Sequence, residues 1–288
     1  MLVHCASLIS RFSLRAHYRF ADWILYPLMY HIVRYRRRIV AKNLRLSFPD
    51  RTEKERKEIE RAFYHQLCDT FVESIYGLRC PDEEMRQRVV FLNMEEVNRL
   101  VDAAGGGIFM LAHMGNWEWQ AAVQQWLSPG VTELNVYRRQ KNKSADRLML
   151  TIRSKRGGKC VEKQQILREM VRYRAAHKPV TVGLISDQKP RPAVTRTWVT
   201  FLNQETGFLD GGEMLGRKFG YPVFYGHIKR VSRGYYVTDV RLLSATPQNT
   251  AEGEITTAYA RELEQNIQEQ PALWLWTHNR WKHGKGER

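Results

Sequence analysis

The sequence predicts an α/β protein: one core with an N-terminal appendage. Short apolar runs of buried-strand length, Ile108 to Ala112 and Val180 to Ser186, are separated by stretches of helical period such as Ile59, Phe63, Leu67, Phe71 and Ile75. Hydrophobic residues make up 43% of the 288, which supports a substantial core and argues against disorder.

Residues 1–45 form the expected appendage and 46–288 the main domain. Met1 to Ser10 is too short to span a bilayer, and it lacks the basic start and small-residue cleavage site of a secretory signal. Phe20 to Val33 carries Asp22, Pro27 and His31, and falls below the ~18 apolar residues of a spanning helix. Arg34, Arg36, Arg37, Arg38, Lys42 and Arg45 follow. An aromatic, apolar segment ahead of a basic cluster suits a helix lying in a membrane interface. It equally suits an amphipathic core helix with a basic solvent face.

Ser47-Phe48-Pro49-Asp50 interrupts the chain, and Thr52 with Glu55 fits a capping box. The stripe from Ile59 to Ile75 is expected to be core. Asp82 to Val101 reads as further helix, leading into a turn at Gly105-Gly106-Gly107.

Ile108 to Ala112 is then a strand, and Asn116 is a plausible N-cap for a helix running to Leu127. His113 sits where strand gives way to helix, a usual place for ligand sites in open α/β sheets. Glu118 lies five residues on. A neutral imidazole can take a proton from a hydroxyl that attacks an acyl carbonyl. A carboxylate on its other ring nitrogen fixes the tautomer and stabilises the imidazolium. Donors for the oxyanion are expected near Gly115 to Trp117. Taken alone, the pair is also what a packed histidine and a glutamate favoured by the helix dipole look like.

Val131 to Tyr137 is a candidate strand, with Arg138, Arg139, Lys141 and Lys143 after it; such a group binds phosphate or is simply solvated. Leu148 to Arg153 belongs to a helix, as does Ile166 to Ala176. Val180 to Ser186 is a strand ending at Asp187-Gln188-Lys189-Pro190. If the strands are parallel, Asp187 shares a sheet edge with His113, to order the site or to contact an acceptor. It is otherwise a turn aspartate. Pro222 to Ile228 and Tyr235 to Leu243 read as strands, and Ile255 to Gln268 as a helix.

Lys and Arg number 46 against 30 Asp and Glu, a net charge of +16. That balance favours an anionic partner: nucleic acid, phospholipid or an acidic protein. The four cysteines are scattered without a C-x2-C pair, which argues against a zinc site or a disulfide framework and fits reduced thiols.

His113-Met-Gly-Asn-Trp-Glu118 resembles the H-x4-D/E motif of glycerolipid-type acyltransferases, and its G-N-W-E wording resembles the late acyltransferases of lipid A biosynthesis. Tyr137-Arg138, Asn142, Asp146, Arg153 and Gly157 match a further block of that family. So do Asp187-Gln188, Trp198-Val199-Thr200-Phe201 and the terminal Trp274-Leu-Trp-Thr-His278-Asn-Arg280-Trp-Lys282. The resemblance implies a mixed, largely parallel sheet flanked by helices, with an N-terminal membrane-associated helical segment. It implies acyl transfer from acyl carrier protein to a hydroxyl of an anionic glycolipid, a lipid A precursor, at the cytoplasmic face of a bacterial inner membrane. His113 and Glu118 are then catalytic; Asn116, Arg138, Arg153, Asp187 and Gln188 contact substrate; no metal, redox cofactor or nucleic acid is involved. Two other readings are an acyltransferase for a lysophospholipid or another glycolipid, and a non-catalytic basic binder of membrane or nucleic acid.

Overall fold

The computed structural model describes residues 2–190 and 195–282; the end of the expected main domain, beyond Lys282, lies outside them. Two short helices, α1 (Leu2–Ile9) and α2 (Leu14–Phe20), are followed by two π-helical turns, Ala21–Leu25 and Leu28–Ile32. Next come α3 (Arg37–Ser47) and the long α4 (Glu53–Tyr76). Helix α4 starts at the expected capping box: the Glu55 N–H donates to Thr52 Oγ1 at 3.3 Å, and the Thr52 N–H donates to Glu55 Oε2 at 2.7 Å. Among the described residues, no helix is long and apolar enough to cross a membrane.

The α4 stripe is buried at Ile59, Phe63 and Ile75, but Phe71 is 59% exposed. Gln66, Asp69, Thr70 and Glu73 are buried instead. Their spacing of i, i+3, i+4, i+7 puts them on one face of the helix, and that face points inward.

Asp82 to Val101 is not one helix. It divides into α5 (Asp82–Arg88), β1 (Val89–Leu92) and α6 (Met94–Ala104). Val89-Val90-Phe91-Leu92 is a β-branched and aromatic run that pairs, Val89 opposite Tyr236, with a strand far along the chain. Asn93, in the left-handed region at φ 64°, separates strand from helix. The glycine turn is also shorter than expected. Gly105 (φ 71°) caps α6, while Gly106 and Gly107 already belong to β2 (Gly106–Leu111). A Cβ at Gly106 would lie 2.5 Å from the Tyr221 ring, so the strand needs glycine there.

A seven-residue 3-10 helix, Trp119–Gln125, replaces the expected α-helix. The chain continues through β3 (Thr132–Tyr137), α7 (Lys143–Ser154), an unexpected short β4 (Lys159–Glu162), α8 (Ile166–Ala175) and β5 (Val180–Ile185). Trp198 to Leu202 lies in a hairpin of β6 (Thr197–Phe201) and β7 (Gln204–Phe208). Its two-residue turn has Leu202 and Asn203 both at positive φ (49° and 63°), the pattern of a type I′ turn. Then come α9 (Gly211–Phe219), β8 (Val223–Ser232), β9 (Tyr235–Ser244) and α10 (Glu254–Glu269).

The seven-stranded sheet has the order β1-β9-β8-β2-β5-β3-β4. Only β8 and β9 are antiparallel; the other neighbours run parallel. Helices cover both faces. A Cβ at Gly107 would meet Val101 of α6, whereas Met110, on the opposite face, meets Gly212 of α9. The molecule is thus α/β with a mostly parallel mixed sheet between helices.

Candidate active site

Strands β2 and β5 run parallel with Leu111 opposite Ile185. Continued two residues, that register brings His113 opposite Asp187 at the C-terminal edge of the sheet, where open α/β sheets bind ligands. His113 Nδ1 lies 2.7 Å from Asp187 Oδ1, and the His113 backbone N–H donates to Asp187 Oδ2 at 3.0 Å. The Trp274 indole N–H donates to the same Oδ2 at 2.9 Å. Asp187 is 3% exposed. Burial alone would raise its pKa, but the His113 ring, the His113 N–H and the Trp274 indole outweigh burial and hold it down at about 2. An ionised Asp187 can only accept, so Nδ1 of His113 carries the hydrogen of this contact, and in the neutral imidazole the lone pair is then on Nε2. The Gln188 amide nitrogen lies 3.4 Å from that Nε2.

Glu118 is not the partner of the imidazole. Its carboxylate receives two hydrogen bonds from Arg153, Nε to Oε2 and Nη2 to Oε1, both 2.7 Å, and one from the Trp117 indole at 3.1 Å. The reason lies in the turn between them. Gly115 is in the left-handed region at φ 53°, and Asn116, 0% exposed, is drawn into the core. Its amide donates to Glu73 Oε2 at 2.9 Å, and its Oδ1 accepts the Trp119 N–H at 3.1 Å. Asn116 therefore holds the start of the 3-10 helix through the Trp119 N–H, and both ends of its side-chain amide are engaged inside the fold. Trp117 turns the other way, its ring 5.2 Å from that of His113 and edge-on to it.

The remaining expected residues fall in two places. Arg153 stands beside the site through Glu118. Arg138 is exposed beyond the end of β3, next to an Arg139–Glu162 ion pair. Gly115 is excluded as an oxyanion donor, because its N–H is already bonded to Leu273 O at 3.0 Å. Among the described residues, no group of three or more His, Cys, Asp or Glu side chains is placed to hold a metal ion.

The contributions of Trp274 and Glu73 are not evident from the sequence, whereas His278 is already a candidate there for a polar contact. Trp274 stands there only as part of the terminal motif, and its indole tethers Asp187. The strand-like bridge Met114 to Trp274 and the Leu275 N–H to His113 O bond (3.1 Å) lay the C-terminal segment against the turn after His113. His278, in that segment, is pushed down to about 4 by burial first and then by Arg280, with Asp187 opposing and His113 and Arg36 adding to the fall. Glu73 is hidden in a helix whose apolar stripe dominates the pattern; the polar spacing from Gln66 to Glu73 is the signal that marks it.

No curated protein matches the chain. The profile of bacterial lipid A biosynthesis acyltransferases matches residues 14–283. A histidine with a buried carboxylate behind its ring and Gln188 before it stands at the C-terminal edge of the sheet, and the chain belongs to the bacterial lipid A biosynthesis acyltransferase family.

Proposed function

We propose that the enzyme transfers a fatty acyl chain from a thioester on acyl carrier protein to a hydroxyl of a lipid A precursor. The observation that carries this is the His113–Asp187 pair, in which the carboxylate takes up Nδ1 and leaves Nε2 as the other ring nitrogen. The acceptor hydroxyl gives its proton to Nε2 as its oxygen attacks the thioester carbonyl. Asp187 stabilises the imidazolium that forms. The tetrahedral intermediate collapses, the C–S bond breaks, and the departing thiolate takes the proton back from Nε2. Product is an oxygen ester and a free thiol. Glu118 acts through Arg153 and Trp117, holding the wall of the site against which His113 packs. Arg138, exposed and cationic, is suited to an anionic part of donor or acceptor.

Partner and location follow from charge and exposed apolar surface. A net charge of +16 attracts an acidic carrier protein. Phe12, Trp23, Ile24, Ile32 and Val33 expose between 55% and 77% of their surface. Exposed arginines, Arg11, Arg34, Arg36 and Arg38, stand among them. Apolar side chains interleaved with arginine support seating in an anionic bilayer interface, and with it the cytoplasmic face of the inner membrane.

The test is lipid mass spectrometry on cells with and without the gene, complemented by wild type or by His113→Ala. Lipid A should lose one acyl chain, restored by wild type alone. A change in a different lipid would move the acceptor to a lysophospholipid or another glycolipid. No lipid change, with binding to nucleic acid that collapses with salt, would overturn acyl transfer.

A further inference from the structure

One turn of α4 grips the whole segment that follows His113. Thr70 Oγ1 donates to Gly115 O at 3.0 Å. Glu73 Oε2 accepts the Asn116 amide at 2.9 Å, and Glu73 O accepts the Trp119 indole at 3.0 Å. The Glu73 carboxylate is 0% exposed and takes two further donors: Tyr18 OH on Oε1 at 2.7 Å and Tyr236 OH on Oε2 at 2.9 Å. Burial raises its pKa, and the charged neighbour acting on it is Asp69, of like sign. A carboxylate buried among neutral donors is an expensive way to fill a core. Its effect here is directional. By accepting the Asn116 amide it turns that residue inward, which turns Trp117 outward onto His113 and delivers Glu118 to Arg153.

We propose that Glu73 is a positioning residue for acyl transfer, acting through Asn116 on the His113–Glu118 turn. Tyr18 ties the same carboxylate to α2, next to the exposed Phe20, Trp23 and Ile24. The segment proposed to meet the membrane and the catalytic turn therefore share one buried hydrogen-bonding centre. This inference rests on His113 being the base.

The test is a polarity swap. Asn116→Asp places a second carboxylate against Glu73. Its kcat should fall by ~100-fold, the cost of misplacing a reacting group by about 1 Å, with KM for donor and acceptor held. Part of the loss should return as pH is lowered, because one proton shared between the two acids restores the bond. Glu73→Gln should be mild, since its amide oxygen can still accept from Asn116 and Tyr236 while Tyr18 OH accepts from its NH2. The double variant Glu73→Gln/Asn116→Asp reverses donor and acceptor across the same contact, and should recover to within ~10-fold of wild-type kcat. Melting temperatures accompany each variant. If Asn116→Asp does not fold, Asn116→Ser serves: it drops the amide but keeps an oxygen for the Trp119 N–H, and its kcat should fall at least ~10-fold. Wild-type kcat in Asn116→Asp or Asn116→Ser, or a folded double variant no better than Asn116→Asp, overturns the proposal. His113→Ala in the same assay separates the two failures. If it still transfers acyl groups, the base is wrong, while non-additive melting temperatures in the swap still report the Glu73–Asn116 coupling.

Discussion

Asp187 holds His113 at two points, 2.7 Å from the ring Nδ1 and 3.0 Å from the backbone N–H. The backbone bond anchors the residue and the ring bond places a hydrogen on Nδ1, so position and ring orientation come from one carboxylate. The contact joins positions 74 apart in sequence. It exists because β2 and β5 are parallel neighbours in a register that carries on past their ends.

Glu118 and Arg153 form a largely buried bidentate pair, their side chains 7% and 22% exposed. Removing one partner leaves a buried charge alone. Arg153→Met should therefore destabilise the fold by about 3–5 kcal/mol. Glu118→Gln/Arg153→Met should be more stable than the two single losses added together, by about 1–3 kcal/mol. Denaturant unfolding of the four proteins measures this. Strict additivity would mean that the pair is not coupled.

Glu133 gives stability a pH dependence of definite sign. It is fully buried beside Thr181, and burial lifts its pKa from 4.5 to about 7. A carboxyl with a raised folded-state pKa contributes stability that is complete below its unfolded value and is lost as pH rises through the folded one. Unfolding free energy should thus fall by up to about 3 kcal/mol between pH 5 and pH 8. Glu133→Gln, of the same shape and without charge, should remove that slope. A slope unchanged in the variant would assign it to another group.

Membrane contact through the N-terminal segment predicts a partition defect. Trp23→Ser/Ile32→Ser removes two side chains that are 77% and 74% exposed, so the fold should be little affected. Binding to vesicles containing anionic lipid should weaken by ~10-fold or more, as apolar area buried in the interface sets affinity together with charge. Vesicle sedimentation at fixed salt reads it. Equal binding would detach this surface from the membrane.

What is legible in the sequence and what is not divide along physical lines. β2, β5, β8 and β9 announce themselves as apolar or alternating runs, and the parallel placement of Asp187 beside His113 follows once β2 and β5 are neighbours. β1 and β4 are four residues each, set among helix-forming residues, and β1 owes its state to pairing with β9. Motif spacing pairs Glu118 with His113, whereas in the structure Asp187 is at the ring and Glu118 is at Arg153, because spacing says nothing of the turn that folds the motif. That turn depends on Gly115 at φ 53° and on Glu73 pulling Asn116 inward, and both are set by α4, over forty residues upstream. Phe71 alone of the stripe departs to solvent, at 59% exposure, where Gln66, Asp69, Thr70 and Glu73 take the inward face of α4.

The measurement closest to the central claim is steady-state acyl transfer by Asp187→Asn. The amide preserves shape but no longer enforces the tautomer or stabilises the imidazolium. The kcat should fall by about 1,000-fold or more, with KM for both substrates held within ~3-fold. If Asp187→Asn keeps a tenth or more of wild-type kcat while Glu118→Gln loses its activity, the carboxylate that serves His113 during the reaction is Glu118, and the assignment of Asp187 to that role is wrong.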